Sequence, residues 1–199
     1  PFMSHQNNKN LMYTSSYASP LGDILLSADD EGLTGLWFVG QKYFANGLSE
    51  DTVCREVPVL KNAKEWLDIY FSGKKPEFSV PLHPSGTEFQ KEIWDILCSI
   101  PYGSTVTYGE IAARLCEKRG LSHMSPQAVG GAVGHNRISI IIPCHRVVGA
   151  DGSLTGYAGG VEKKLRLLEL EGVRISSDAW KKISIHDNIK ENFYEAIVK

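Results

Sequence analysis

In the run Ile-Ile-Ile-Pro-Cys-His-Arg-Val-Val at 140–148, an apolar stretch is broken at Pro143, and the two residues after the break are Cys144 and His145. A thiol and an imidazole set side by side where an apolar strand ends are placed to present a reactive thiolate. Proline fixes φ and donates no backbone hydrogen bond. The pattern therefore predicts a strand over 138–142 that ends at Pro143 and turns Cys144 out of the sheet. A cysteine is nucleophilic only as thiolate, and its pKa of about 8.5 has to be lowered by a base, a cation or a helix N-terminus. His145 is the nearest base. The plain alternative is a buried, inert cysteine beside a hydrogen-bonded histidine, because most cysteines behave as small hydrophobes.

Ahead of this segment, residues 12–39 alternate apolar stretches with two turn signals, Ser19-Pro20-Leu21-Gly22 and Asp29-Asp30-Glu31-Gly32. This predicts an antiparallel three-stranded meander over 12–18, 23–28 and 33–39. Leu60, Ala63, Leu67 and Tyr70 recur at helical spacing, so a helix is expected over 59–71, with Gly73 past its end. Residues 74–84 are polar and contain proline, which reads as a linker. A second helix from Thr87 places Phe89, Ile93, Ile96, Leu97 and Ile100 on one face and stops at Pro101-Tyr102-Gly103.

Thr107-Tyr108-Gly109-Glu110 is a capping box, opening a helix that runs to Gly120. Ser125-Pro126 opens another, with Ser as cap and Pro at the first helical position, ending near His135. Two capped helices joined by a short turn make a helix-turn-helix candidate, although many helix pairs have no business with DNA. Gly130 and Gly131 inside the second helix cost about 1 kcal/mol each relative to Ala, and are kept where the backbone approaches another helix or a ligand closely. The last helix is expected over 161–171, closed by Gly172. Expected units are 11–83 and 84–173, followed by a tail, 174–199, without an assigned role. Pro1 and Phe2 before Met3 read as a cloning remnant.

With 42% apolar and 22% charged residues the composition is that of an ordinary globular chain, and a net charge of −2 argues against a general polyanion binder. Within 103–150 the balance is locally basic, Arg114, Lys118, Arg119, Arg137 and Arg146 against Glu110 and Glu117, so any DNA footprint is expected to be small and to lie there. Cys54, Cys98, Cys116 and Cys144 are far apart and show no metal-ligand spacing, so no metal site is expected, and the first three are assigned to packing or chance. A reducing compartment suits a working thiol. No run of eighteen apolar residues and no signal-peptide pattern occur, which predicts a soluble intracellular protein with no membrane partner.

Four motifs follow in order: Gln-Ala-Val-Gly-Gly-Ala-Val-Gly-His-Asn at 127–136, Pro-Cys-His-Arg-Val at 143–147, Gly-Tyr-Ala-Gly-Gly at 156–160 and Leu-Glu-Gly at 170–172. Together they closely resemble the O6-alkylguanine-DNA alkyltransferases, also called methylated-DNA-protein-cysteine methyltransferases. The match is dense over 87–173 and looser over 12–82. The resemblance implies an α/β fold with two parts. A small antiparallel-sheet, RNase H-like N-terminal domain precedes a winged-helix-like C-terminal domain that carries the helix-turn-helix and the cysteine. It also implies irreversible transfer of an alkyl group from guanine O6 to the thiol, once per molecule, with no cofactor. The implied partner is double-stranded DNA containing O6-alkylguanine. The protein would be a monomer with no obligate protein partner, cytoplasmic, or nuclear in a eukaryote.

Carried over residue by residue, the resemblance makes Cys144 the acceptor and His145 the group that draws its proton through a water molecule. Glu171 would orient the imidazole, and Asn136 would hold the turn between recognition helix and strand. Tyr108 would press on the phosphate at the lesion while the base is rotated out. Ser125, Gln127, Ala128, Gly130, Gly131 and Arg137 would face DNA from a helix entering the minor groove. The pocket would be lined by Tyr108, Pro143, Val148, Gly156, Tyr157, Ala158 and Gly159. Read alone, Glu171 is a solvated helix-end charge, Asn136 a C-cap and Tyr108 a half-buried aromatic.

Two positions depart from the family pattern. Gln127 stands where an arginine is usual and loses the stacking and phosphate attraction of a guanidinium. Ala158 stands where a serine often occurs. Two rival readings are a non-catalytic alkyl-lesion sensor, disfavoured by a nucleophile at 144, and a Cys-His thiol hydrolase, which would turn over and would need an oxyanion hole.

Overall fold

Both N-terminal turn signals fold as the sequence reads. In the computed structural model, which describes residues 11–176, β1 (Tyr13–Ser19), β2 (Gly22–Ala28) and β3 (Leu33–Phe38) form an antiparallel meander. Ser19 Oγ donates to the Gly22 carbonyl, and Asp29 Oδ1 accepts from the N–H groups of Glu31 and Gly32. Each reversal is thus closed by a short polar side chain. A two-residue strand, β4 (Val53–Cys54), pairs in parallel with β1 and gives the order β3-β2-β1-β4. On this sheet packs α1 (Pro58–Phe71), its stripe Leu60, Ala63, Leu67 and Tyr70 fully buried.

The linker expected over 74–84 is instead fixed along the β3 edge. Leu33 N–H donates to the Pro81 carbonyl, His83 N–H donates to the Leu33 carbonyl, and Val80 is buried. An unpaired strand edge favours any extended neighbour that can satisfy it, and the apolar residues Val80 and Leu82 within the polar stretch supply one.

The second half is helical. Capping boxes start both α2 (Glu88–Cys98), through Thr87 and Gln90, and α3 (Tyr108–Arg119), through Thr107 and Glu110. Ser125 caps α4 (Pro126–Gly134) by accepting from the Gln127 N–H. Trp94 Nε1 donates to the Ala132 carbonyl at 3.0 Å, locking α4 against α2. A parallel pair not read from the sequence, β5 (Val106–Thr107) with β6 (Val147–Val148), ties the start of α3 to the segment after Cys144. The last helix among the described residues is α5 (Val161–Leu170).

The strand expected over 138–142 does not form. Ile138 makes one bridge to Leu36, and the chain then folds on itself, with Ile141 N–H donating to the Ser139 carbonyl and Ile142 N–H to the Ile138 carbonyl. Ile140 takes φ of 70°, a conformation that costs a β-branched residue about 1–3 kcal/mol, set against its complete burial. Asn136 dictates the turn: Nδ2 donates to the carbonyls of Ile138 and Ile142, and Oδ1 accepts from Ile138 N–H. An apolar run without alternation does not separate a buried strand from a buried turn.

Candidate active site

The Asn136 turn delivers the chain to Pro143, and a single 3-10 turn, Cys144–Arg146, follows. Cys144 is 5% exposed, and Asn136 Nδ2 also stands 3.1 Å from its Sγ. Burial pushes the thiol pKa up. The Asn136 amide, the charge of Lys164 and the backbone N–H groups of Cys144 and His145 oppose that shift, because each favours the thiolate. The resting group is a neutral thiol surrounded by donors.

His145 is fully buried, and its Nε2 lies 2.6 Å from Glu171 Oε1. Burial holds the imidazole pKa below its ordinary value against the opposing pull of Glu171. For Glu171, burial alone would raise the carboxyl pKa. The hydrogen bonds from His145 and Arg146 outweigh it and bring the value to about 2. An ionised carboxylate only accepts, so the Nε2 proton faces Glu171, which leaves a lone pair on Nδ1, an atom with no hydrogen-bond partner among the described residues. Nδ1 and Sγ share no direct hydrogen bond.

Arg146, counted from the sequence in the local basic balance over 103–150, is buried. Its Nε and Nη2 fork onto both Glu171 oxygens at 2.8 and 3.0 Å, and Nη1 donates to the Ile100 carbonyl. Arg119 is likewise paired, with Glu92. The basic surplus over 103–150 is therefore smaller at the surface than the composition suggests. A second unread group is Lys164, fully buried on α5, its Nζ donating to the Thr155 carbonyl at 2.8 Å. Burial lowers its pKa to about 8, opposed by the neighbouring Cys144. It sits at an apolar-stripe position, in register with Leu168 and Glu171, and that misplaced charge was the signal available in the sequence.

The DNA-facing and pocket candidates divide. Tyr108, at the start of α3, donates to the Thr155 carbonyl at 3.2 Å, and a Cβ on Gly130 of α4 would touch its ring, so α3, α4 and the 155–156 loop meet there. Gln127, Ala128 and Gly131 are exposed on α4, and nothing lies within 4 Å of where a Gly131 Cβ would stand. That face is bare and does not pack against another helix. Ser125 Oγ holds Gln127 Oε1 at 2.6 Å. Arg137 is not brought to this face, since its Nη1 is committed to the Asn46 carbonyl in the loop between β3 and β4.

Pro143, which directly precedes Cys144, and Val148 are both buried. Gly156 has φ of 57° and leaves room for the Tyr108 hydroxyl, and a Cβ on Gly159 would come within 2.8 Å of the Tyr157 ring. Tyr108 and Tyr157 both lie close enough for a Cys144 thiolate to bear on their hydroxyls. The Ala158 carbonyl accepts from Lys42 N–H at 3.0 Å, a tie to the N-terminal half. A cavity lined by Asp29, Trp37, His83, Lys91 and Arg137 does not reach Cys144. Among the described residues no group of three His, Cys, Asp or Glu side chains is arranged to hold a metal.

A shielded thiol, backed by an imidazole and a carboxylate and set beside the exposed face of a capped helix pair, defines a protein that carries one nucleophile next to a helix-turn-helix unit. Residues 88–173 match the family model described as 6-O-methylguanine DNA methyltransferase, DNA binding domain, and residues 12–84 match that of its ribonuclease-like domain. A methylated-DNA–protein-cysteine methyltransferase of Methanosarcina acetivorans is 44% identical over 162 residues, covering 81% of this chain and 99% of the relative. One from Haemophilus influenzae is 42% identical over 165 residues, covering 81% and 87%. The crystal structure of the Mycobacterium tuberculosis protein in complex with DNA superposes with a TM-score of 0.69 at 40% identity, covering 83% of this chain and 96% of that one. The chain belongs to the 6-O-methylguanine DNA methyltransferase family.

Proposed function

We propose that this protein repairs O6-alkylguanine in double-stranded DNA by taking the alkyl group onto Cys144, once per molecule. The observation that carries the reading is the relay itself: Sγ under the Asn136 amide, and next to it a buried imidazole whose Nδ1 is bare and whose Nε2 is tied to Glu171. Sγ forms a bond to the alkyl carbon as the carbon–O6 bond breaks. The thiol proton passes by way of a bridging water and His145 Nδ1, and the departing guanine gains a proton to become the ordinary base. A thioether is too stable to be displaced, so the site is spent.

The bare α4 face with Gln127, Ala128 and Gly131 fits a groove, and Tyr108 stands where a rotated nucleotide would pass between helix and pocket loop. On this reading 11–83 and 84–173 act as two units of a monomer that needs no cofactor, in a compartment where the thiol stays reduced. The test is intact and peptide mass measurement after exposure to duplex DNA carrying O6-methylguanine. One methyl group per molecule on the peptide containing Cys144 is expected. Label on Cys54, Cys98 or Cys116, or multiple turnover, would defeat the reading.

A further inference from the structure

The stripe that seats α1 on the sheet ends with Tyr70, and a phenylalanine would fill that place in the core equally well. Its hydroxyl does something else. Tyr70 Oη donates to Glu171 Oε1 at 2.8 Å and lies 3.4 Å from His145 Nε2, with all three groups buried. Glu171 Oε1 is the same oxygen that faces His145 Nε2 at 2.6 Å. We propose that Tyr70 is a positioning residue of the alkyl-transfer site, the N-terminal helix reaching into it to clamp Glu171 and to keep His145 with Nε2 protonated and Nδ1 open as the base. The inference rests on Cys144 being the alkyl acceptor.

Glu171 accepts from His145 Nε2, Tyr70 Oη, Arg146 Nε and Nη2, and Gly103 N–H. Every added donor draws charge from the carboxylate and weakens its hold on a protonated imidazole. The donors therefore set how basic His145 is as well as where it points. Burial, and then the charge of Glu171, push the phenol pKa far above its ordinary value, so Tyr70 stays a donor at every working pH. Its only role toward Nε2 is then to offer a lone pair, which again requires the proton to sit on that nitrogen. The other groups facing this cluster are the Arg146 guanidinium and Lys164, both disfavouring imidazolium, the Cys144 thiol, and the neutral rings of Tyr102 and Tyr157.

Tyr70→Phe keeps the ring and removes only the donor. Glu171 then holds a protonated His145 more strongly. The acid limb of the second-order rate of methyl transfer from duplex O6-methylguanine is expected to move up by about half a pH unit or more, with a plateau lowered about 3- to 10-fold. A packing role alone would change stability and leave the limb in place. An unmoved or downward-moved limb, in a Tyr70→Phe protein whose wild type labels Cys144, overturns the inference and spares the function. Failure of the wild type to label Cys144 overturns the function first. If Tyr70→Phe does not fold, the imidazole nitrogen NMR shifts of the wild type at about pH 7 decide: Nε2 protonated and Nδ1 bare is required, and the opposite tautomer overturns the proposal.

Discussion

The Asn136 amide that ties down the carbonyls of Ile138 and Ile142 also stands 3.1 Å from Cys144 Sγ, so one side chain shapes the turn and presents the thiol. Asn136→Asp is nearly isosteric but replaces the donor with a carboxylate facing two carbonyls and a sulfur. We expect it to lose about 2–4 kcal/mol of stability. Alkylation of Cys144 by iodoacetamide is expected to slow at least ~10-fold, because a nearby negative charge raises the thiol pKa. Asn136→Ala removes the same bonds without the charge and is expected to lose less reactivity. Equal thiol reactivity in both variants and the wild type would confine Asn136 to folding. Urea midpoints and mass-monitored alkylation give the two numbers.

Stability against pH follows from the buried His145–Glu171–Arg146 cluster. Burial opposes ionisation of Glu171, yet its hydrogen bonds to His145 and Arg146 bring its pKa to about 2. Its contribution is therefore present above the unfolded value of about 4.3 and is lost as pH falls toward 2. Burial keeps His145 neutral in the fold, whereas the unfolded chain takes up that proton below about pH 6.5, so its contribution is also present above and lost below. Urea midpoints are expected to hold above about pH 7, to decline from about 6.5 and to fall faster below about 4.5. Arg146→Lys, which breaks the fork and lets the folded pKa of Glu171 rise toward its unfolded value, is expected to lower the midpoints above about pH 4.5 and to make the decline below it smaller. Midpoints independent of pH over this range would sink the assignment.

How much of this was legible in the sequence differs by element. The meander, the three capped helices and α1 were, because each is set by local chemistry: a turn residue, a cap, a 3.6-residue stripe. The turn over 138–142 was not, because its cause is a side chain, Asn136, reaching over the next six residues. The Cys144–His145 pair could be read because its members are adjacent. Tyr70 and Arg146 could not be read as part of the site, since each looks like core or surface until the fold converges on Glu171, and Lys164 signalled only a charge on an apolar stripe, not its nearness to Cys144. Their roles depend on contacts from residues far apart in the chain.

Lys164 holds a charge in a fully buried position where its Nζ donates to the Thr155 carbonyl. Burial lowers its pKa to about 8, against the opposing effect of Cys144. Its unfolded value is about 10.4, so holding the proton at neutral pH costs the fold stability, a cost present below about pH 8 and absent above about 10.4. Lys164→Met, of similar length, is expected to raise stability by about 1–3 kcal/mol and to slow methyl transfer about 10-fold, since the thiolate loses its nearby cation. Thermal midpoints and single-turnover rates report the two effects separately. A variant both less stable and equally fast would show that Lys164 only anchors the 155–160 loop.

Position 127 yields the sharpest contrast. The Gln127 side chain is exposed but tethered, its Oε1 held by Ser125 Oγ, which also caps α4 by accepting the Gln127 N–H. Beside it, Ala128 and Gly131 carry neither charge nor bulk, so the face that would meet the groove offers no cation at its leading end. Gln127→Arg leaves the backbone cap intact, frees the side chain from Ser125 Oγ and supplies a planar cation able to stack on neighbouring bases while a nucleotide is held out. Repair of duplex substrate is expected to speed up, and the slope of log affinity against log salt to steepen by about one. Reaction with free O6-alkylguanine base, which needs no extrusion, is expected to stay within about twofold of the wild type. Second-order inactivation rates on the two substrates decide the matter: equal acceleration on both would mean that residue 127 acts on the pocket or on folding and not on extrusion.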